Sequence, residues 1–195
     1  MTSEAQLLDA AHHEAGHVVV AHANGVLEIA AELWPWPQYD QYRGRFSSRQ
    51  WPKYVDQRAA IAIAGMLAEA KCGARRLDQS ARFAQSGIED LVTALRDPAE
   101  RSHENPGEFA VAFITDSGNL EHAISGFSYS GSDKFDFVKY TTDRNAKVDP
   151  NSVVKRTMTI LDERWAAVER VARKLAAQQL TGRRLDWDDI EPLIR

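Results

Sequence analysis

The chain has 195 residues, 44% hydrophobic and 27% charged, with a formal net charge of −4. That composition belongs to a globular domain, with no apolar run long enough to span a bilayer and no basic-then-apolar leader pattern at its start. The only compact basic clusters are Arg75-Arg76 and Arg183-Arg184, so nucleic-acid binding has no support, and the single cysteine, Cys72, excludes an internal disulfide and fits the cytoplasm.

In chain order, residues 4–23 read as one helix, with Ser3 as N-cap and Gly25 as the stop. Leu7, Leu8, Ala11, Val18, Val19 and Val20 supply its apolar positions. Inside it lies His13-Glu14-Ala15-Gly16-His17. At 3.6 residues per turn, His13 and His17 stand one above the other and can reach a single metal ion. Glu14 points to a neighbouring direction, towards a water on that ion. This H-E-x-x-H arrangement is that of zinc peptidases. His12 and His22 face elsewhere and read as surface or packing residues.

Residues 26–33 and 44–48 look like short strands, joined through the loop Trp34-Pro35-Trp36-Pro37-Gln38-Tyr39-Asp40. Residues 54–72 form an alanine- and isoleucine-rich helix expected to close at Gly73, with Cys72 as a packing residue near its end. A further helix is expected around 77–84. Ser86-Gly87-Ile88-Glu89 matches a capping box and opens a helix to Arg96, which places Asp90 in a first turn. By local pattern alone, Asp90 is a helix-start residue.

Residues 99–151 are the least readable stretch, with aromatics scattered among glycines, serines and aspartates; His103 and His122 lack ligand spacing there. Residues 151–179 read as one long helix. Its seam is Val154, Met158, Leu161, Trp165, Val168, Ala172 and Leu175. Such a seam packs against another helix of the same domain or, alternatively, makes a homo-oligomer. Gly182 ends the helix, and Asp186 caps a short last one.

Four pieces resemble the peptidase domain of FtsH-type zinc metalloproteases. They are His-Glu-Ala-Gly-His at 13–17, Ala64-Gly65-Met66-Leu67-Ala68-Glu69, Ser86-Gly87-Ile88-Glu89-Asp90-Leu91, and the long C-terminal helix with Leu180-Thr181-Gly182 after it. Met66 replaces that family's arginine, and Val92-Thr93-Ala94-Leu95 lacks its Ala-Thr pair. The resemblance implies a mainly α (α+β), zincin-like domain with a small β hairpin or edge sheet. It implies one domain over 1–195: a metal-site core at 1–98, a variable segment at 99–151 and C-terminal helices at 152–195. It also implies zinc held by His13, His17 and Asp90, which lies 73 residues after His17, with Glu14 as general base. Glu69 reads either as a carboxylate that steadies the site or as a solvent-facing helix glutamate.

The expected activity is hydrolysis of peptides or unfolded proteins. The family's ATPase and membrane anchor have no counterpart in these residues. The alternatives are therefore a catalytically silent module that binds partners and the proteolytic subunit of a two-chain machine with a separate ATPase.

Overall fold

The computed structural model describes residues 4–37, 41–77, 131–142 and 148–195. Helix α1 (Glu4–Ala23) is followed by strands β1 (Ile29–Trp36) and β2 (Gln41–Ser48) and by helix α2 (Val55–Leu77). Then come α3 (Gly131–Thr142), α4 (Pro150–Glu163), α5 (Trp165–Gln178), a 3-10 turn (Gln179–Thr181) and α6 (Trp187–Ile194). The described chain is mainly helical with one two-stranded antiparallel sheet. Among the described residues, no helix is long and apolar enough to cross a membrane.

Among the described residues, α1 is the element that most of the others pack on. From Ala11 to Ala21 each of its residues is buried, which is what a helix wrapped by other elements on all sides requires. The hairpin, α2 and α5 all pack on it. Gly16 sets how closely α2 approaches: a β-carbon there would stand 2.6 Å from the Ala64 carbonyl oxygen and 2.6 Å from the Ala68 β-carbon. α1 ends as expected, with Gly25 at φ +80° and its N–H donating to the His22 carbonyl at 2.9 Å.

The strands differ from expectation at both ends of the hairpin. Trp34, Pro35 and Trp36 belong to β1, paired with Arg43, Tyr42 and Gln41. Pro35 is exposed at the far end of the ribbon, where the loss of one N–H is tolerated. The Arg43 guanidinium lies 3.1 Å from the centre of the Trp36 ring and clamps that end. At the opposite edge of β1, Ala31 and Leu185 exchange two backbone hydrogen bonds of 3.0 and 2.8 Å.

Two helix boundaries also differ. α2 runs through Gly73 to Leu77. An interior glycine costs only about 1 kcal/mol, and Ala74-Arg75-Arg76-Leu77 are strong helix formers that outweigh it. The expected single helix over 151–179 is α4 and α5, interrupted at Arg164 with φ −113° and ψ 19°. α5 starts directly after the interruption with Trp165 stacked on His12, ring centres 5.7 Å apart and planes inclined by 19°. The seam itself is buried within the chain at Val154, Leu161, Trp165, Val168, Ala172 and Leu175. Gly182 closes the segment at φ +62°, and Asp186 with Asp189 forms a capping box on α6.

α3 falls in the stretch whose sequence was hardest to read. Phe137 is its fully buried anchor, and the helix packs against α2. That contact brings its first turn to the histidines of α1.

Candidate metal centre

His13 and His17 project from the buried middle of α1 with their Nε2 atoms 3.2 Å apart. Both rings are held from α2. His17 Nδ1 lies 2.7 Å from the Ile61 carbonyl oxygen. A carbonyl only accepts, so Nδ1 carries the proton and Nε2 keeps its lone pair. His13 Nδ1 lies 3.0 Å from Glu69 Oε2, and donation to that carboxylate fixes the same tautomer.

The third group comes from α3. Asp133 Oδ2 stands 3.2 Å from His13 Nε2 and 3.4 Å from His17 Nε2. Three lone-pair atoms thus converge with no donor of their own except a proton borrowed from solvent. Such a set calls for a cation at its centre. Its edges also fit a small one, because donors 2.0–2.1 Å from a tetrahedral ion stand about 3.3 Å apart. His13, His17 and Asp133 form a group that can hold a metal ion.

The electrostatics agree. Burial works against the Asp133 charge, yet His17 and His13 beside it hold the carboxyl far below the usual carboxylate range. Burial likewise opposes charge on His13, but hydrogen bonds to Asp133 and Glu69 overcome it and push its pKa well above the ordinary imidazole value.

Two glycines clear the space. Gly65 of α2 faces the rings, and a β-carbon there would stand 2.6 Å from His13 Nε2 and collide with His17 Nε2. Gly44 of β2 faces Glu14, whose carboxylate fills the place a side chain at 44 would take. Glu14 therefore lies buried between α1 and the hairpin, next to the imidazoles. Burial pushes its carboxyl up, and the two histidines draw it part of the way back.

Of the residues singled out from sequence, His13, His17, Glu14 and Glu69 come together. Asp90 lies outside the described residues, as do the Ser86–Arg96 helix, most of the 77–84 helix, His103 and His122. His12 and His22 are packing residues: His12 donates from Nδ1 to the Leu8 carbonyl and stacks on Trp165, and His22 lies against Trp187. Cys72 is buried, as a packing residue should be.

Asp133 is the residue that sequence reasoning missed. A signal was present: Asp133, Phe137 and Tyr140 recur at helical spacing directly after Ser130-Gly131-Ser132.

No family model matches this chain, and no curated protein or solved structure is significantly similar to it.

Proposed function

We propose that the chain is a zinc metallopeptidase, FtsH-type and zincin-like in layout, with His13, His17 and Asp133 as the zinc ligands. The observation that carries this reading is the convergence of three acceptor atoms, 3.2–3.4 Å apart, beside the buried carboxylate of Glu14. Two imidazoles with one carboxylate suit zinc better than the oxygen-seeking cations. When bound, the ion supplies Lewis acidity, which brings a water's pKa to about 7 and polarises a carbonyl oxygen.

The remaining work falls to the chain. Glu14 takes the proton from the attacking water and hands it to the departing amine. Its raised pKa suits both tasks better than an ordinary carboxylate does. Glu69 acts as a positioning residue: it fixes the tautomer and plane of His13. For the substrate backbone the better edge is β2. The outer edge of β1 is taken by Leu185, whereas β2 has no strand on its outer side among the described residues. An extended peptide added there would pass Gly44 with Glu14 beneath it.

Metal content per chain and peptide turnover, measured side by side, test this reading. The intact protein should carry about one zinc ion, and Asp133→Ala should lose most of it. Glu14→Gln should keep the ion and lose turnover by about 10²–10⁴-fold. Loss of the ion from Asp90→Ala, with Asp133→Ala unaffected, would move the third ligand to Asp90. A zinc-loaded protein with equal turnover in Glu14→Gln would overturn the mechanism.

A further inference from the structure

The open end of the hairpin gathers the large apolar side chains that the fold leaves in water. Among the described residues these are Leu27, Trp51 and Tyr54, exposed to 49%, 51% and 62%. Leu27 lies just before β1 and Trp51 just after β2, next to the terminal pair of Ile29 with Ser48. Ser48 Oγ lies 3.1 Å from the Leu27 carbonyl oxygen and 2.9 Å from that of Gln50, so the two segments leave the hairpin side by side. Tyr54 follows Trp51 in the sequence by a reach of at most about 11 Å. Exposed apolar side chains scattered singly are ordinary, but three gathered at one end of a ribbon mark an interaction surface.

The same end is cationic. Residues 41–54 hold Arg43, Arg45, Arg49 and Lys53 and no acidic residue, in a chain whose net charge is −4. Arg45, Arg49 and Lys53 are exposed. β1 and the residue before it return two carboxylates, Glu32 opposite Arg45 and Glu28 at 3.5 Å from Arg49. The Glu28–Arg49 pair lies in water, where such a contact is weak, and the surface stays net positive. Asp56, the first acid beyond the segment, is taken up by Arg156 at 2.7 Å. Cations and rings therefore interleave through Arg49, Trp51, Lys53 and Tyr54.

We propose that this end of the hairpin is a docking surface for an anionic lipid bilayer, with Leu27, Trp51 and Tyr54 entering the headgroup region and Arg49 and Lys53 pairing with lipid phosphates. Charge selects the partner: a positive surface on an acidic protein complements an anionic layer, which repels the rest of the molecule. Side-chain chemistry selects a bilayer over a dissolved polyanion. Tryptophan and tyrosine settle at headgroup level, the ring in the apolar boundary and its N–H or O–H in the wet layer. A nucleic acid could stack on the rings and pair with the cations, but it has no use for the methyl groups of Leu27. Attachment of this kind is peripheral and salt-sensitive. The surface makes no use of the metal centre, so it stands or falls separately from the peptidase reading.

Co-sedimentation of the whole chain with vesicles tests it, comparing phosphatidylglycerol mixed equally with phosphatidylcholine against phosphatidylcholine alone. Binding should appear on the anionic vesicles and be lost on the neutral ones and at high salt. Lys53→Gln should weaken it by about fivefold, the worth of one cation near an anionic surface. Trp51→Ala should weaken it by about tenfold, and Leu27→Ser and Tyr54→Ala by about threefold or more each. Circular dichroism checks the fold of each variant. Because Trp51 touches Phe46, Leu27→Ser and Tyr54→Ala carry the test if Trp51→Ala does not fold. The bilayer surface is overturned if the anionic vesicles bring down no protein, or if binding is undiminished when Lys53→Gln and Tyr54→Ala are combined. It is equally overturned if heparin-agarose retains the protein while Leu27→Ser leaves vesicle binding unchanged, which would make the partner a soluble polyanion.

Discussion

Gly65 presents a bare α-carbon to His13: a single added methyl group would stand 2.6 Å from the Nε2 atom that faces the metal position. The sequence of α2 therefore carries a constraint that serves the histidines of α1 and not α2 itself. Gly65→Ala should show this directly. Alanine is the better helix former by about 1 kcal/mol, and imidazole tips can swing aside, so the metal-free protein should melt no lower than the parent. Zinc affinity should nevertheless fall by about 100-fold or more, because the displaced rings no longer converge. Competition against a chromogenic chelator, beside a thermal melt, would separate the two effects.

Gly16→Ala should behave in the opposite way. Its β-carbon would meet a carbonyl oxygen and a β-carbon of α2, neither of which can swing aside. The overpacking should cost about 1–3 kcal/mol, more than the gain in helix propensity returns. Denaturant unfolding of the metal-free protein measures it.

Glu69 holds His13 through Nδ1, so on the zinc reading its two substitutions should rank by what they leave of that contact. Glu69→Gln keeps an acceptor for the Nδ1 proton but loses the charge, whereas Glu69→Ala loses both. Zinc affinity should fall by about 10–100-fold in Glu69→Ala and by less in Glu69→Gln. Equal affinities in all three proteins would remove Glu69 from the site.

Removing the metal should reshape the dependence of stability on pH. The folded-state pKa of His13 is raised, against burial, by Asp133 and Glu69. Its contribution is therefore present below about pH 6.5 and is lost as pH rises through the higher folded value. The pKa of Asp133 is depressed, so its contribution is present above about pH 4 and is lost as pH falls further. Chelator-treated protein should be most stable between those limits and melt progressively lower above neutrality. Loading with zinc should reverse the alkaline loss, because deprotonated His13 is the form that binds. Melting temperatures from pH 4 to pH 9, with and without zinc, decide it.

The parts of the fold that rest on local periodicity were legible in the sequence. α1 covers the residues its apolar spacing marks and ends at Gly25, while its expected cap Ser3 lies outside the described residues; His13 and His17 meet because helical spacing alone stacks them. What sequence could not supply depends on contacts distant along the chain. The interruption at Arg164 has no local marker, since no proline or glycine stands there; it accompanies the stacking of Trp165 on His12. Pro35 reads as loop chemistry, and only its place at the exposed end of the ribbon makes it a strand residue. Asp133 is the clearest case. The spacing of Asp133, Phe137 and Tyr140 marks a helix start, but the carboxylate's place beside the histidines comes from the packing of α3 on α2, anchored at Phe137, which that local window does not contain.

The pair of hydrogen bonds between Ala31 and Leu185 ties the hairpin to a residue far along the chain. The histidines lie in the same stretch of chain as the hairpin, but the brace on its back comes only when the distant Leu185 docks. Until then β1 has a partner on one side only, and the ribbon that shields Glu14 is anchored along a single edge. A contact spanning so much sequence is late and slow to form. The hairpin that covers Glu14 is thus braced along its second edge by a residue far away in the sequence.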